Sequence, residues 1–586
     1  MYSPTLEEFL SLATQGNLIP VTRRLLADVE TPLSAYRKIR GPGESFLFES
    51  VEGGEHIGRY SFVGCNPRGI VRQVGQTVEV IENGKVVETF SVQSEAPAGS
   101  SATCVLNASG EREQLASGSP SPPLEERAGE RPITFPDNAV RADAPAGHLT
   151  NASSVPAEND DLLSLPLSSK GGEGTQTAPA ASLRDGLAAV ERVMKKYRAV
   201  PVPGLPRFTG GAVGFIGYEF IHDVEPVVPR PPHDDLQTPV IYFLIADQLL
   251  IFDRVAQTIT VLVNAVLEDA ASPAEAYENA TGEIDRLIAL LEQPTEHRPV
   301  TLPGEVPSLP FESNLPKEKF IANVLKAKQY ITSGDIIQVV GSQRFSTPVK
   351  AAPLDIYRAA RSINPSPYMF LLELDGFSLV GASPEIHVRC EEGKVEIRPI
   401  AGTRRRGATP DEDVALEKEL LADPKERAEH VMLVDLARND LGRVCDYGTV
   451  QVKDLMIIER YSHVMHIVSQ VAGRLSADKT PYDLMRATFP AGTLSGAPKI
   501  RAMQIIAELE QTARGPYGGC VGYFSFNGNL DCCITIRTAL LKGGKAYVQA
   551  GGGWVDDSTP EGEYQETVNK SKAMLKAVAM AESFGG

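Results

Sequence analysis

From about Gln93 to Ser182 the chain changes character. The stretch is rich in Ala, Ser, Pro, Gly and Glu, and Phe135 is its only aromatic residue. Such a sequence cannot bury enough apolar surface to offset the entropy of ordering it, so 93–182 reads as a disordered low-complexity insertion. This break constrains the fold more than any other feature, because a domain begun in residues 1–92 is completed only after 182.

On either side the patterning is that of a folded protein. Ser45 to Ser50, Tyr60 to Val63, Thr77 to Ile81 and Lys85 to Phe90 read as strands, with Asn83-Gly84 as a hairpin turn. Leu183, Leu187, Val190, Met194 and Tyr197 fall at spacings of four and three and predict an amphipathic helix. The glycine-rich run 210–217 lacks the strand-turn-helix setting of a dinucleotide fingerprint, and close backbone packing is its expected role. Strands over Val240 to Phe252 and Thr258 to Val263 lead to a helix capped at Ser272-Pro273. Residues 183–292 complete the N-terminal domain, 293–310 form a proline-rich linker and 311–586 a second domain. Helices and strands mix without a βαβ period, so the expected class is α+β.

A net charge of −18 argues against wrapping nucleic acid or docking on anionic lipid. The N-terminus lacks signal-peptide order, and the most apolar run, Val240 to Phe252, is broken by Asp247 and too short to span a bilayer. Seven cysteines without CxxC spacing suit a reducing cytoplasm.

Two Glu-x-x-Glu pairs form the strongest chemical constellation. Glu426 and Glu429 follow the helix start Asp423-Pro424; Glu563 and Glu566 follow Thr559-Pro560. Spacing of three places each pair on one helix face, and four carboxylates from two facing helices suit a hard cation such as Mg2+. Spacing alone reads first as ordinary surface charge, with Glu426 closing a capping box. His463 and His466 lie in a strand-like run, facing opposite sides, so they do not share a metal; either is a general acid or base, or a core histidine. Gly551, Gly552 and Gly553 can bring backbone amides to an anion. Arg537, within the apolar run Ile534 to Leu541, needs a partner: a bound carboxylate or an internal salt bridge. Cys520 loosely imitates a nucleophile setting but lies in a strand, and reads as a buried small residue.

The runs Pro399 to Gly407, Asp435 to Asp440, Thr493 to Lys499 and Glu566 to Lys570 closely resemble anthranilate synthase component I, of the chorismate-utilising enzyme family. The resemblance covers nearly the whole chain outside 93–182. It implies large antiparallel β-sheets flanked by helices, with 311–586 as the chorismate-binding catalytic domain and 1–92 in the tryptophan-binding part. It implies Mg2+ as cofactor, bound by Glu429 and Glu566 with Glu426 and Glu563 nearby through water. Gly402, Thr403, Tyr517, Arg537 and Gly551 to Gly553 are implied to bind the rest of chorismate. Glu385 matches the general acid for the departing C4 hydroxyl, His466 the histidine of pyruvate elimination, and Thr493 lies near the ring. Ser50, Pro367, Tyr368 and Met369 match the tryptophan inhibitor site, with Phe48 departing from its pattern. A glutamine amidotransferase subunit, component II, is the implied partner, in a heterodimer or heterotetramer. Ala401 and Gln338 stand where aminodeoxychorismate and isochorismate synthases, respectively, carry lysine, which favours ammonia addition and anthranilate. A catalytically dead chorismate- or tryptophan-binding regulator would have lost Glu385, Glu429, His466 or Glu566, and all four are present.

Overall fold

The computed structural model describes residues 1–51, 58–92, 182–294, 300–306, 308–461 and 464–585. The insertion 93–181 and His463 therefore lie outside the described residues, whereas Ser182, counted above in the insertion, starts a strand.

Two large sheets carry the fold. The first has 13 strands. Its spatial order runs Tyr2–Ser3, Leu18–Leu26, Thr258–Val266, Gln248–Asp253, Tyr60–Cys65, Ser45–Glu49, then Tyr368–Leu374, Phe377–Ser383, Thr538–Lys542, Lys545–Trp554, Gln338–Pro348, Glu312–Ser313, with Gly496–Ala497 added against Gln338–Pro348. The second has 12 strands, and its centre is the pair Gly211–Ile216 and Cys520–Ser525. Among the described residues every strand pairing is antiparallel except Lys85–Val92 with Ser182–Leu183, which bears out the expected α+β class. A small sheet of three strands, Ile400–Arg405, Val464–Val468 and Ile457–Arg460, completes the set.

Read outward from the centre, each half of the first sheet has the same order. Ser45–Glu49, Tyr60–Cys65, Gln248–Asp253, Thr258–Val266 and Leu18–Leu26 correspond in turn to Tyr368–Leu374, Phe377–Ser383, Thr538–Lys542, Lys545–Trp554 and Gln338–Pro348. Helices match too: Pro32–Ile39 lies between Leu18–Leu26 and Ser45–Glu49 as Pro353–Ile363 lies between Gln338–Pro348 and Tyr368–Leu374, and Pro273–Leu291 closes one copy as Pro560–Glu582 closes the other. The chain is a structural duplication. Strands from both sides of the expected 293–310 linker share both large sheets.

The sheets pack face to face through Phe46, Phe62, Phe208, Phe215, Tyr242, Phe370 and Tyr523. Helices cover the outer faces, Pro273–Leu291 and Pro560–Glu582 lying over the first sheet. Close packing explains the glycine run: a Cβ on Gly214 would stand 1.8 Å from the Tyr242 carbonyl oxygen. Asn83 and Gly84, at φ +50° and +71°, make the expected hairpin. The helix expected from Leu183 is Gly186–Met194, capped by Asp185, because Leu183 is drawn into the strand beside Val92. Among the described residues no helix is long and apolar enough to cross a membrane.

Among the described residues, four short crossovers without an intervening helix carry the chain between the two large sheets: at 66–68, at Asp247, at 384–385 and at 535–537. Asp247, which interrupts the apolar run Val240 to Phe252, is one of these corners.

Val92 and Leu183 are register partners in neighbouring parallel strands, so the two ends of the 93–181 excursion meet. Joining residue 95 to 181 with a short Gly/Ser linker should leave stability nearly unchanged, since closure cost grows by only about 0.6 kcal/mol per doubling of loop length. A soluble chain melting within a few degrees of the parent is the expected result. Loss of folding would show that the segment packs on the domain.

Candidate active site

Two adjacent crossovers build the centre of the site. Phe377–Ser383 passes into Ile386–Glu391 through Pro384-Glu385, and Leu530–Ile534 passes into Thr538–Lys542 through Thr535-Ile536-Arg537. Main-chain bonds lock them side by side: Ile534 N–H donates to the Glu385 carbonyl (3.0 Å) and Ala382 N–H to the Arg537 carbonyl (3.1 Å).

Glu385 is buried at this corner, and burial pushes its carboxyl up to about 8, against a weaker opposing pull from Thr493 and Lys570. The Thr493 hydroxyl, on the turn Gly492–Leu494, is near enough to favour the carboxylate yet closes no hydrogen bond of normal geometry.

Arg537 lies in a break between strands, not within one. It holds φ at +51°, a conformation that costs a residue with a Cβ free energy. Burial lowers its pKa, and no ion pair or side-chain hydrogen bond holds its guanidinium among the described residues. The internal salt bridge is thus not found there; Tyr517 and Glu566 are the nearby groups favouring its charge.

His466 faces Thr403 across the small sheet. Its Nδ1 is 3.1 Å from the Gly402 carbonyl and 3.0 Å from Thr403 Oγ1. A carbonyl only accepts, so the proton belongs on Nδ1 and Nε2 keeps its lone pair. Burial lowers the ring's pKa, keeping it neutral near pH 7. Gly402 sits at a bulge with φ +76°, and a Cβ there would stand 3.2 Å from Glu426 Oε2.

Glu426 and Glu563 come from the first turns of Pro424–Gly442 and Pro560–Glu582, where the helix dipole favours carboxylates, and Glu429 and Glu566 follow on the next turn. Asp423 caps the first helix as expected, but Glu426 closes no capping box; it accepts from Arg404 (3.1 Å). Glu429 accepts from Gln338 (3.1 Å) and its pKa is raised by burial, then by Glu426 and Glu566. Glu563 accepts from Ser558 (2.6 Å), leaves Oε2 buried without a partner, and is pushed up to about 7, chiefly by burial. Glu566 pairs with Lys570 (2.6 Å), which also donates to the Gly551 carbonyl (3.0 Å). The carboxylates thus sense one another, yet among the described residues no three His, Cys, Asp or Glu side chains converge on one metal position.

Gly551, Gly552 and Gly553 lie in Lys545–Trp554, past the point where the neighbouring Thr538–Lys542 strand has ended. Added Cβ atoms would meet the Tyr517 hydroxyl at 2.6 Å, Glu563 Oε2 at 2.6 Å and Gln338 Nε2 at 2.4 Å, respectively. Each glycine therefore gives room to a candidate site side chain. The ring of Tyr517 is held from behind by Arg514, 5.6 Å away. Arg514, Lys499, Lys570 and His387 are site neighbours that sequence reasoning did not single out. Lys570 and Arg514 had a signal, their i,i+4 spacing from Glu566 and Glu510, respectively.

Ser50, Pro367, Tyr368 and Met369 come together elsewhere. They line a pocket of about 510 Å3 between the sheets, walled by Phe48, Tyr60 and Tyr523 and edged by Arg207, Arg389 and Asp531. Both copies of the duplicated fold contribute to it. Cys520 is buried in its strand, as expected.

A family model described as chorismate binding enzyme matches residues 164–576. The anthranilate synthase component 1 of Acetivibrio thermocellus is 43% identical over 588 residues, covering 99% of each chain. That of Pseudomonas putida is 41% identical over 582 residues, covering 98% of each. Among solved structures, anthranilate synthase component I from Streptococcus pneumoniae TIGR4 aligns with a TM-score of 0.66 at 31% identity, over 94% of this chain and 99% of that one. The menaquinone-specific isochorismate synthase of Escherichia coli aligns with a TM-score of 0.59 at 16% identity over 98% of each chain, which speaks for the fold alone.

The buried Glu385 carboxyl has a consequence for stability. From its ordinary value of 4.5 up to about 8, the folded chain holds a proton there that the unfolded chain has lost. Stability should therefore fall as pH rises through that window, by a few kcal/mol at most. Glu385→Gln has no such proton to hold, and urea unfolding across a pH series should show its downward slope reduced. An unchanged slope would mean that the Glu385 carboxyl is not held in its acid form.

Proposed function

Because the chain belongs to the chorismate-binding enzymes, and among them to the anthranilate synthase component 1 proteins, we propose that it converts chorismate and ammonia to anthranilate and pyruvate. The observation that carries the proposal is the juxtaposition of a buried acid, Glu385, and a half-buried cation without a counter-ion, Arg537, on neighbouring crossovers. The substrate is a dicarboxylate that must lose a hydroxyl, and these are the groups such a molecule needs.

On this reading Arg537, Tyr517, Gly402, Thr403 and the free edge of Gly551 to Gly553 bind chorismate. Hydroxide is a poor leaving group, so Glu385 protonates the C4 oxygen as ammonia adds at C2. His466, neutral with Nε2 bare, then takes the ring proton as pyruvate departs. Thr493 stands beside the reacting ring.

Mg2+ is part of the same proposal. Glu429 and Glu566 would hold it, with Glu426 and Glu563 engaging its waters. This ion needs no three-ligand cage, since it keeps several waters and uses one or two carboxylates plus a substrate group. Glu563 Oε2, buried without a partner, fits as well. When bound, the ion clamps a substrate carboxylate and withdraws charge from it.

Ammonia is expected from a glutamine amidotransferase, component II, in a heterodimer or heterotetramer. The six described cysteines are all buried, which supports delegating glutamine chemistry to a partner; Cys104 lies outside the described residues. The pocket at Ser50, Pro367, Tyr368 and Met369, aromatic-walled with charged edges, is proposed to take tryptophan as feedback inhibitor. We place the protein in the cytoplasm.

Purified chain given chorismate, Mg2+ and ammonium should generate anthranilate fluorescence, and should not when glutamine replaces ammonium. No anthranilate with ammonium would remove the proposal. Glu385→Gln should slow ammonia addition by about 10²- to 10⁴-fold. His466→Met should still add ammonia and release an aminated intermediate that retains pyruvate, seen by chromatography. Chorismate left untouched by that variant would move His466 to the first step.

Ser50→Arg should abolish inhibition by tryptophan while sparing turnover, because a long cationic side chain fills the pocket. Equal inhibition of variant and parent would count against the site.

A further inference from the structure

A cavity with about 360 Å3 of empty volume adjoins Glu385. Its polar lining is Glu385, His387, Asp440, Thr488 and Thr493, and the rest is largely apolar. His387 follows Glu385 by two residues, at the irregularity between Ile386 and Val388, and both side chains line the cavity.

The hydrogen-bond inventory of this cavity does not close. His387 Nε2 is 3.2 Å from Thr488 Oγ1. Thr488 gives its single hydroxyl proton to main-chain carbonyls, Leu484 at 3.0 Å or Met485 at 3.3 Å. Toward His387 it accepts, so Nε2 carries the ring proton. Burial keeps the imidazole neutral, its pKa pushed down to about 3. Nδ1 is then a bare acceptor, buried and without a partner. The Thr493 hydroxyl is likewise buried and unpartnered. Nor does Lys499 supply a donor, because its three protons go to Asp440, Thr488 O and Pro490 O. An orphaned buried acceptor costs about 1–3 kcal/mol unless something donates to it.

We propose that this cavity holds one small neutral hydride, water or ammonia, that donates to His387 Nδ1 and bonds Thr493 Oγ1 beside the Glu385 carboxyl. The role rests on the reading above, in which one ammonia is consumed and one water released at this place. The Glu385 proton passes to the C4 oxygen, the C–O bond breaks, and its electron pair leaves on oxygen as water. The nitrogen lone pair forms the bond at C2, and the resulting ammonium centre gives up the proton that restores Glu385. His387 is a positioning residue for whichever small molecule occupies the cavity.

The test uses the full chain with ammonium as nitrogen source. A high-resolution crystal structure should show a density peak within hydrogen-bonding distance of both His387 Nδ1 and Thr493 Oγ1. His387→Leu removes the acceptor, and turnover should fall about tenfold or more. His387→Asn places an amide oxygen near the Nδ1 position and should recover most of that loss. Both variants lose the Thr488 bond, so a purely structural role predicts equal damage and equal melting temperatures shifts. If the occupant is ammonia, KM for ammonium rises in His387→Leu; if it is the departing water, kcat falls at saturating ammonium and that KM is unmoved. A dry cavity in protein that makes anthranilate, full activity in His387→Leu, or no recovery in His387→Asn would overturn the assignment. A parent chain that makes no anthranilate defeats the proposed function instead, and the density peak still decides whether the site exists.

Discussion

The side-by-side crossing of two strand pairs from one sheet to the other is the constraint on which the site depends. At 384–385 and 535–537 the chain leaves one sheet and enters the next, held by reciprocal main-chain bonds between Glu385 and Ile534 and between Ala382 and Arg537. A corner of this kind faces both layers, so a side chain there is walled on several sides by backbone already bonded elsewhere. That is how a carboxyl can be stripped of water and kept as an acid, and how an arginine can be left without a counter-ion. Both states are costly in an unsupported loop.

The same corners explain what the sequence made legible. Helix starts at Asp423-Pro424, Ser272-Pro273 and Thr559-Pro560 were readable because their signals are local: proline at the first helical position in all three, with a side-chain cap from Asp423 and Ser272 but not from Thr559. The α+β class followed from the absence of a βαβ period. The Asn83-Gly84 hairpin followed from the need for positive φ at both positions. The break at Arg537 was not readable, since apolar residues continue through it and only the change of sheet interrupts the strand. Nor was the duplication. Its two copies share topology, not a repeated motif, and the first is interrupted by the 93–181 excursion. His387 lacked any signal because its partner Thr488 stands 101 residues away, whereas Arg514 carried only its spacing from Glu510, past the end of that helix.

Charge around the acidic helices is held in balance rather than in surplus. Glu426 meets Arg404, Glu566 meets Lys570, and Glu429 and Glu563 rely on neutral partners, Gln338 and Ser558. Lys570 is the common element: it ties Glu566 to the Gly551 carbonyl and is felt at Glu385, Glu429 and Glu563. One cation on one helix thus links the acidic cluster to the glycine strand and to the acid corner.

The pocket at Ser50 and Tyr368 sits where the two copies of the fold meet, each lending it residues. Were the copies separate subunits, such a pocket would be a dimer-interface site and would vanish as the subunits dissociated on dilution. Joined in one chain, each copy experiences the other at a fixed effective concentration, whatever the protein concentration. Its availability is therefore independent of how much protein is present, and a ligand held there answers only to its own concentration.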